Sequence, residues 1–537
     1  MRLGAEVVDP ATGATVFSEY QDGAGPEDSL RAMTTVAARL RGRLGEAVQE
    51  IDATSKPIAD AASPSLDALR AYSLGITADG EGRYSDAKLH YEQALSLDPE
   101  FAMAMVSLGR SSLTDGDRAE ALAWFSRAAA LPERLSERER LALEALTAMI
   151  RRQPDYPRRW QAFSDLYPDH YPAAHNLALF SWWNNRFEDS LAYAERASSP
   201  RSVTRGSSIY VQGIALVGLG RFDEAREAFE SASSLGYSRG VSIVSASGYA
   251  AQRRFDEARA TLHAEPARTA GDLLARRGLE LSMAIDEGRW GELPAFADAL
   301  AASSVSEAGV YKWAGWAGQL AVDRDPHDHA ARRARVRELM DQAHGQLHGE
   351  FHPEGDAIAM ALLYAAYVAV RVDDIALARR GLELARSEVA ASPLPVLSQL
   401  LQVVEARIDL AEGDAEAAVR RLAGIFDGSE LALAHAVMGE AQAAAGRHET
   451  ALGHMRWLAE NRGRVYAESN IGYMLRPENV IQANRAQLRA AELSLDLGRR
   501  EDAREWLDAF KSAWADLEAV PDLQAMVDDL DSRLSSN

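Results

Sequence analysis

The sequence predicts an all-α protein, an α-α superhelix of stacked helical hairpins, with a small N-terminal α+β remnant. Three observations carry this. A short pattern recurs along the 537 residues: Gly, Arg or Asp, a residue often aromatic, one more residue, then an acid and Ala. Its copies stand at a nearly constant interval. The apolar residues flanking each copy fall at three- and four-residue steps, the spacing of one helix face.

The N-terminal remnant comes first. Ala5 to Val8 reads as a strand, Asp9-Pro10-Ala11-Thr12-Gly13 as a turn and Ala14 to Tyr20 as a second strand. A helix follows from about Pro26 to Glu50, with Leu30, Met33, Val36, Leu40 and Leu44 on one face. A hairpin and one helix bury too little surface to stand alone. Residues 1–50 are therefore expected to be part of an α/β module, with the chain starting inside a domain. Residues 51–65, rich in Ala, Ser and Pro, read as a linker.

The repeats occupy 66–288. Clear copies are Gly82-Arg83-Tyr84-Ser85-Asp86-Ala87, Gly116-Asp117-Arg118-Ala119-Glu120-Ala121 and Gly220-Arg221-Phe222-Asp223-Glu224-Ala225. Weaker ones begin at Asn185, Arg253 and Gly288. The step from Gly82 to Gly116 is 34 residues; Asn185 to Gly220 is 35, Gly220 to Arg253 is 33 and Arg253 to Gly288 is 35. The apolar stripe Leu69, Tyr72, Leu74 and Ile76 marks a first helix before the Gly. The Gly supplies a left-handed residue that ends it. The acid falls in the first turn of the second helix, where negative charge is favoured. The Ala allows close approach. Ala87, Tyr91 and Ala94 then line one face of the second helix, and Pro99 stops it.

Leu74-Gly75, Tyr84, Ala87, Tyr91, Ala94 and Pro99 together resemble a tetratricopeptide repeat, whose unit is about 34 residues. The resemblance implies a tetratricopeptide-type solenoid. It is strongest at 67–133 and 205–238. Residues 289–400 lose the period and are expected to be irregular helical repeats. The pattern returns at Gly413, Gly446 and Gly498, so 401–537 reads as repeats closed by a helical cap. Ser136-Glu137-Arg138-Glu139 is a capping box opening a helix through Ile150.

Composition narrows function. A net charge of −22 repels a phosphate backbone, so nucleic acid is not an expected partner. No cysteine means no disulfide, thiolate metal site or Cys nucleophile. The longest apolar stretch, Ala357 to Val370, is too short to span a bilayer. A cytoplasmic protein is expected.

The chain offers little catalytic chemistry. Gly236-Tyr237-Ser238-Arg239-Gly240 has the string of a hydrolase nucleophile elbow but follows a helix rather than a strand. His327, His329, His344, His348 and His352 crowd one stretch, but nearby Gly345, Gly349 and Pro353 favour a polar connection over a zinc site. No catalytic residue, metal or cofactor is expected. A stacked superhelix does present an extended concave surface. By the first-helix register, Arg110, His175, Trp182 and Tyr210 are placed on that face as candidates for binding a protein or peptide partner.

A second resemblance concerns short stretches. Residues Arg2 to Gly13, Leu66 to Tyr72, Arg462-Gly463-Arg464-Val465-Tyr466 and Arg476-Pro477-Glu478-Asn479-Val480 are similar to the region after the catalytic domain in bacterial peptide modification system cyclases. That implies a non-catalytic signalling scaffold here, since the cyclase-like domain is absent. The alternative is a small-molecule or peptide sensor attached to a kinase or transcriptional regulator.

Overall fold

The computed structural model describes residues 2–9, 14–25, 28–44, 62–81, 83–114, 117–267, 270–304, 310–322, 329–347, 355–515, 517–518 and 520–536. Gly82, Gly116, most of the expected linker, and His327, His348 and His352 lie outside them. The chain divides into two units, Met1–Ile150 and Arg151–Asn537.

In the first unit, β1 (Arg2–Val8) and β2 (Thr15–Asp22) form an antiparallel hairpin. The helix Ser29–Arg43 lies against it through Leu30, Ala32 and Val36. Two helix pairs follow, Leu66–Gly80 with Tyr84–Leu97 and Ala102–Thr114 with Arg118–Ala129. The capping box forms: the Ser136 amide donates to Glu139 Oε2 (2.7 Å), and the Glu139 amide donates to Ser136 Oγ (3.3 Å).

Each hairpin closes by the same device. The Ala of the recurring pattern (Ala87, Ala121, Ala225, Ala258, Ala418, Ala451, Ala503) is buried throughout. In the hairpins of Ala87, Ala121 and Ala225, a glycine of the first helix receives an aromatic ring of the second. A Cβ at Gly75, Gly109 or Gly213 would collide with Tyr91, Phe125 or Phe229, respectively. Burying each ring contributes about 1.5–3 kcal/mol, which sets the spacing of the pair. The turn residue has positive φ at Gly220, Gly288, Gly413, Gly446 and Gly498, and also where the pattern is weak, at Asn185 and Arg253. Leu74 departs from expectation. It is exposed, because the buried face is Ala68, Ala71, Gly75 and Ala78, and positions 72, 74 and 76 alternate too quickly to share a helix face.

The second unit continues with pairs such as Tyr171–Trp183 with Phe187–Ala197, Arg205–Gly218 with Phe222–Ser234, and Val241–Ala251 with Phe255–His263. Within the irregular stretch, Gly355–Arg371 pairs with Ile375–Ala391. Asp373 takes the positive-φ position there, and Asp374 caps the second helix by accepting from the Leu377 amide (2.9 Å). A repeat turn therefore survives without its Gly, since a short polar side chain tolerates that region better than most.

The unit also folds back on itself. Buried Arg152 reaches across to Asp356 (2.8 Å) and Glu388. Trp514 donates its indole N–H to the Ile285 carbonyl (2.8 Å) and meets Trp290 edge-on.

Candidate functional site: the filled trough of the second unit

After the pair Ala432–Ala444 and His448–Glu460, the chain does not step to the next hairpin. Arg462–Ala467 forms a short helix that packs on Arg205–Gly218 and Val241–Ala251, first helices of earlier repeats. The approach is so close that a Cβ on Gly463 would strike the Val217 carbonyl. Ile471, Gly472 and Tyr473 then all take positive φ. For Ile471 this costs about 1–2 kcal/mol, retained because the surroundings dictate it. The long helix Arg476–Asp496 follows and packs on Ala270–Asp286 and His448–Glu460. The first helices Arg205–Gly218 and Val241–Ala251 are thus covered by the chain's own segment.

Three carboxylates without solvent exposure hold it. Asp286 accepts from Arg253 Nη1 (2.7 Å), Tyr466 OH (2.7 Å) and Asn484 Nδ2 (2.9 Å), and pairs with Arg462. Glu468 accepts from the Ala432 amide (2.8 Å) and Asn479 Nδ2 (3.0 Å). Glu478 accepts from Tyr364 OH (3.2 Å) and Gln482 Nε2 (2.8 Å) and pairs with Arg371 (3.1 Å). Burial pushes the Glu478 carboxyl up, but Arg371, the Gln482 hydrogen bond and further arginines outweigh it, holding the pKa below the usual range. The Tyr466 hydroxyl is pushed well up by burial and by Asp286, so it stays a neutral donor. Buried charges need such partners.

The sequence-derived candidates divide between the units. In the second, Trp182 donates its indole N–H to the Ala467 carbonyl (3.0 Å) and packs near Tyr473; at 9% exposure it is covered by the inserted segment. A partner reaching Trp182 would first have to displace the segment that covers it. His175 Nδ1 lies 3.1 Å from Ser208 Oγ, joining two first helices. Tyr210 packs against Phe229 and Tyr237. Residues that register reasoning missed, Asp286, Glu468 and Glu478, are single acids separated by long sequence intervals. Their signal was the aperiodic polar runs Arg462–Tyr466 and Arg476–Val480, marked by resemblance alone.

Arg110 belongs to the first unit, where the first-helix face is different. Its guanidinium stands 3.9 Å from Asp79, and its side chain is 42% exposed. Tyr72 beside it contacts Tyr91 and Phe101 and hydrogen-bonds Ser107. Burial raises the Asp79 pKa, against the pull of Arg110. Partly buried Leu69 and Met103 complete a mixed apolar and charged face.

The remaining motifs yield no site. Ser238 sits in a turn between the helices Phe222–Ser234 and Val241–Ala251. His329 and His344 begin and end one helix, about 22 Å apart at 1.5 Å per residue. No helix among the described residues is long and apolar enough to cross a membrane.

No curated protein matches the chain. Among solved structures, a chain of the APC/C hetero-tetramer Cut9-Hcn1 aligns over 87% of this chain and 96% of its own, at 12% identity and a TM-score of 0.35. The family model described as tetratricopeptide repeat matches residues 72–134 and 210–272, so one stretch in each unit carries repeats of that kind.

Proposed function

We propose that the protein is a non-catalytic scaffold whose first unit binds an extended or helical segment of a protein partner across Tyr72, Asp79 and Arg110. The single observation behind this reading lies in the second unit, where first helices of the same kind of repeat hold the segment Arg462–Tyr473 against their face. The chain supplies its own example of the binding mode. An aromatic beside an arginine is the usual anchor pair for such a segment. Arg110 with Asp79 selects for a charged group placed opposite the pair. In this reading the array is the partner-binding part of a cytoplasmic signalling protein of the peptide modification system cyclase type, and the His175, Trp182 and Tyr210 face serves only when its internal segment is displaced.

The test is affinity capture from native lysate with the wild-type chain and with Arg110→Ser and Tyr72→Ala. A protein enriched by the wild type and lost with both variants supports the reading. Equal capture by all three, or a co-purifying metabolite with no enriched protein, refutes it.

A further inference from the structure

Arg476 opens the helix Arg476–Asp496 and is only 2% exposed. Nε and Nη2 of its guanidinium are shielded from solvent and make no hydrogen bond to any described residue. The ionisable groups that act on it most are Tyr473, Tyr466 and Tyr210 rather than a carboxylate. Burial brings its pKa below the usual value. A buried charge ordinarily has a counter-charge, and without one it costs stability. Arg152, buried in the same unit, has two, Asp356 and Glu388.

The two unpaired atoms form one edge of the guanidinium. Nε and the Nη2 beside it carry parallel N–H bonds that take both oxygens of one carboxylate. At the surface of the first unit Arg2 uses this edge on Asp22, at 2.8 Å and 2.9 Å. The Arg476 guanidinium folds back beyond the start of its own helix, lying 3.7 Å from the centre of the Tyr473 ring. That end of a helix favours negative charge, because its first amides and its dipole point there.

Tyr473 covers the guanidinium and is itself half-buried, as are Ile471 and Gly472; Ser469 before them and Met474 after them are buried. Ile471, Gly472 and Tyr473 have φ of +50°, +83° and +60°. Two of these are not glycine and one is β-branched, so the cover is held under strain that a turn outward relieves.

We propose that Arg476 binds one carboxylate group of a ligand on its Nε–Nη2 edge, admitted when Tyr473 turns outward. A single guanidinium among tyrosines matches one negative charge and leaves the second charge of a phosphate unmatched. Tyr466 is kept neutral by burial and does not compete. Trp182, whose ring centre is 6.2 Å from that of Tyr473, offers an apolar surface to the rest of the ligand. A small organic acid and the C-terminus of a peptide both carry this group. The site does not depend on the partner-binding reading of the first unit.

The full chain is titrated calorimetrically with benzoate, with an acetylated dileucine bearing a free C-terminal carboxylate, with its amide, and with inorganic phosphate. Saturable one-to-one binding of benzoate or of the free-acid peptide is expected, and whichever binds names the source. The amide and phosphate should not bind. Arg476→Met keeps the bulk and removes the charge. It should weaken binding about tenfold or more, with a denaturation midpoint equal to or above that of the wild type. Tyr473→Gly accepts the same backbone and uncovers the guanidinium, so it should tighten binding about threefold or more. No saturable binding of either acid overturns the proposal, as does binding indifferent to Arg476→Met or equal binding of the amide or phosphate. A midpoint of Arg476→Met well below the wild type would reveal a structural counter-charge and overturns it too, and binding not tightened by Tyr473→Gly overturns the cover.

Discussion

Replacing Asp286 with alanine tests whether the inserted segment is held in the trough by its buried charges. The carboxylate has no exposed surface and serves Arg253, Arg462, Tyr466 and Asn484 together. Arg253 keeps the carbonyls of Asp286 and Ala513 after the change, and Arg462 keeps that of Ala251. The Tyr466 hydroxyl and the charge of Arg462 lose their acceptor inside the protein. Removing one member of a buried ion pair costs about 3–5 kcal/mol, mostly as the penalty on the charge left behind. Asp286→Asn retains the volume and part of the hydrogen bonding, so a smaller loss of about 1–3 kcal/mol is expected. Hydrogen exchange reads this locally. Amides of 462–475 in the alanine variant should exchange about two to three and a half decades faster, from the same free energies. Those of 66–150, in the other unit, should be unchanged. A loss under about 1 kcal/mol, or faster exchange spread evenly over both units, would refute the idea that this carboxylate anchors the segment.

Three further outcomes follow from the same structure. Gly213→Ala is expected to destabilise the second unit by about 1–3 kcal/mol because Phe229 occupies the space. Gly278→Ala, in a helix with nothing within reach of the new methyl, should be neutral or stabilising by up to about 1 kcal/mol; denaturant midpoints in the same sign for both would contradict this. Trp182→Phe keeps a ring but loses the bond to the Ala467 carbonyl, so it should cost about 1 kcal/mol and speed exchange at 462–475 selectively. His454 is held neutral, at about 4, by burial first and then by His435, itself lowered by burial and stacked on Trp457. The unfolded imidazole binds protons near 6.5 that the folded one refuses, so this contribution is complete above that pH and is lost as pH falls towards 4. The decline should amount to about 1–3 kcal/mol and should flatten in His454→Gln, provided Glu430, whose lowered pKa acts in the same direction, is compared in both proteins.

Local features were legible from the start. The positive-φ turns at Gly220 and Gly446, the buried Ala225 and Ala451, the capping box at Ser136 and the N-terminal hairpin each depend on residues close together in the chain. Leu74 was misplaced because an apolar residue near a helical stripe need not lie on it. The turn at Asp373 went unseen because the expected Gly is replaced by a residue that reaches the same backbone region less often.

By itself the sequence determined the order of the hairpins, their interval and their turns, since helix faces, caps and left-handed residues are decided within one repeat. Only the tertiary structure decided that 462–475 covers Trp182, and that Arg371 and Tyr364 meet Glu478. Arg462 meets Asp286 across 176 residues of sequence, and Arg371 meets Glu478 across 107. Such contacts have no period to announce them. They follow from how many small hairpin rotations add up, and each acid or arginine involved has, in its own stretch of chain, the same appearance as the solvated charges around it.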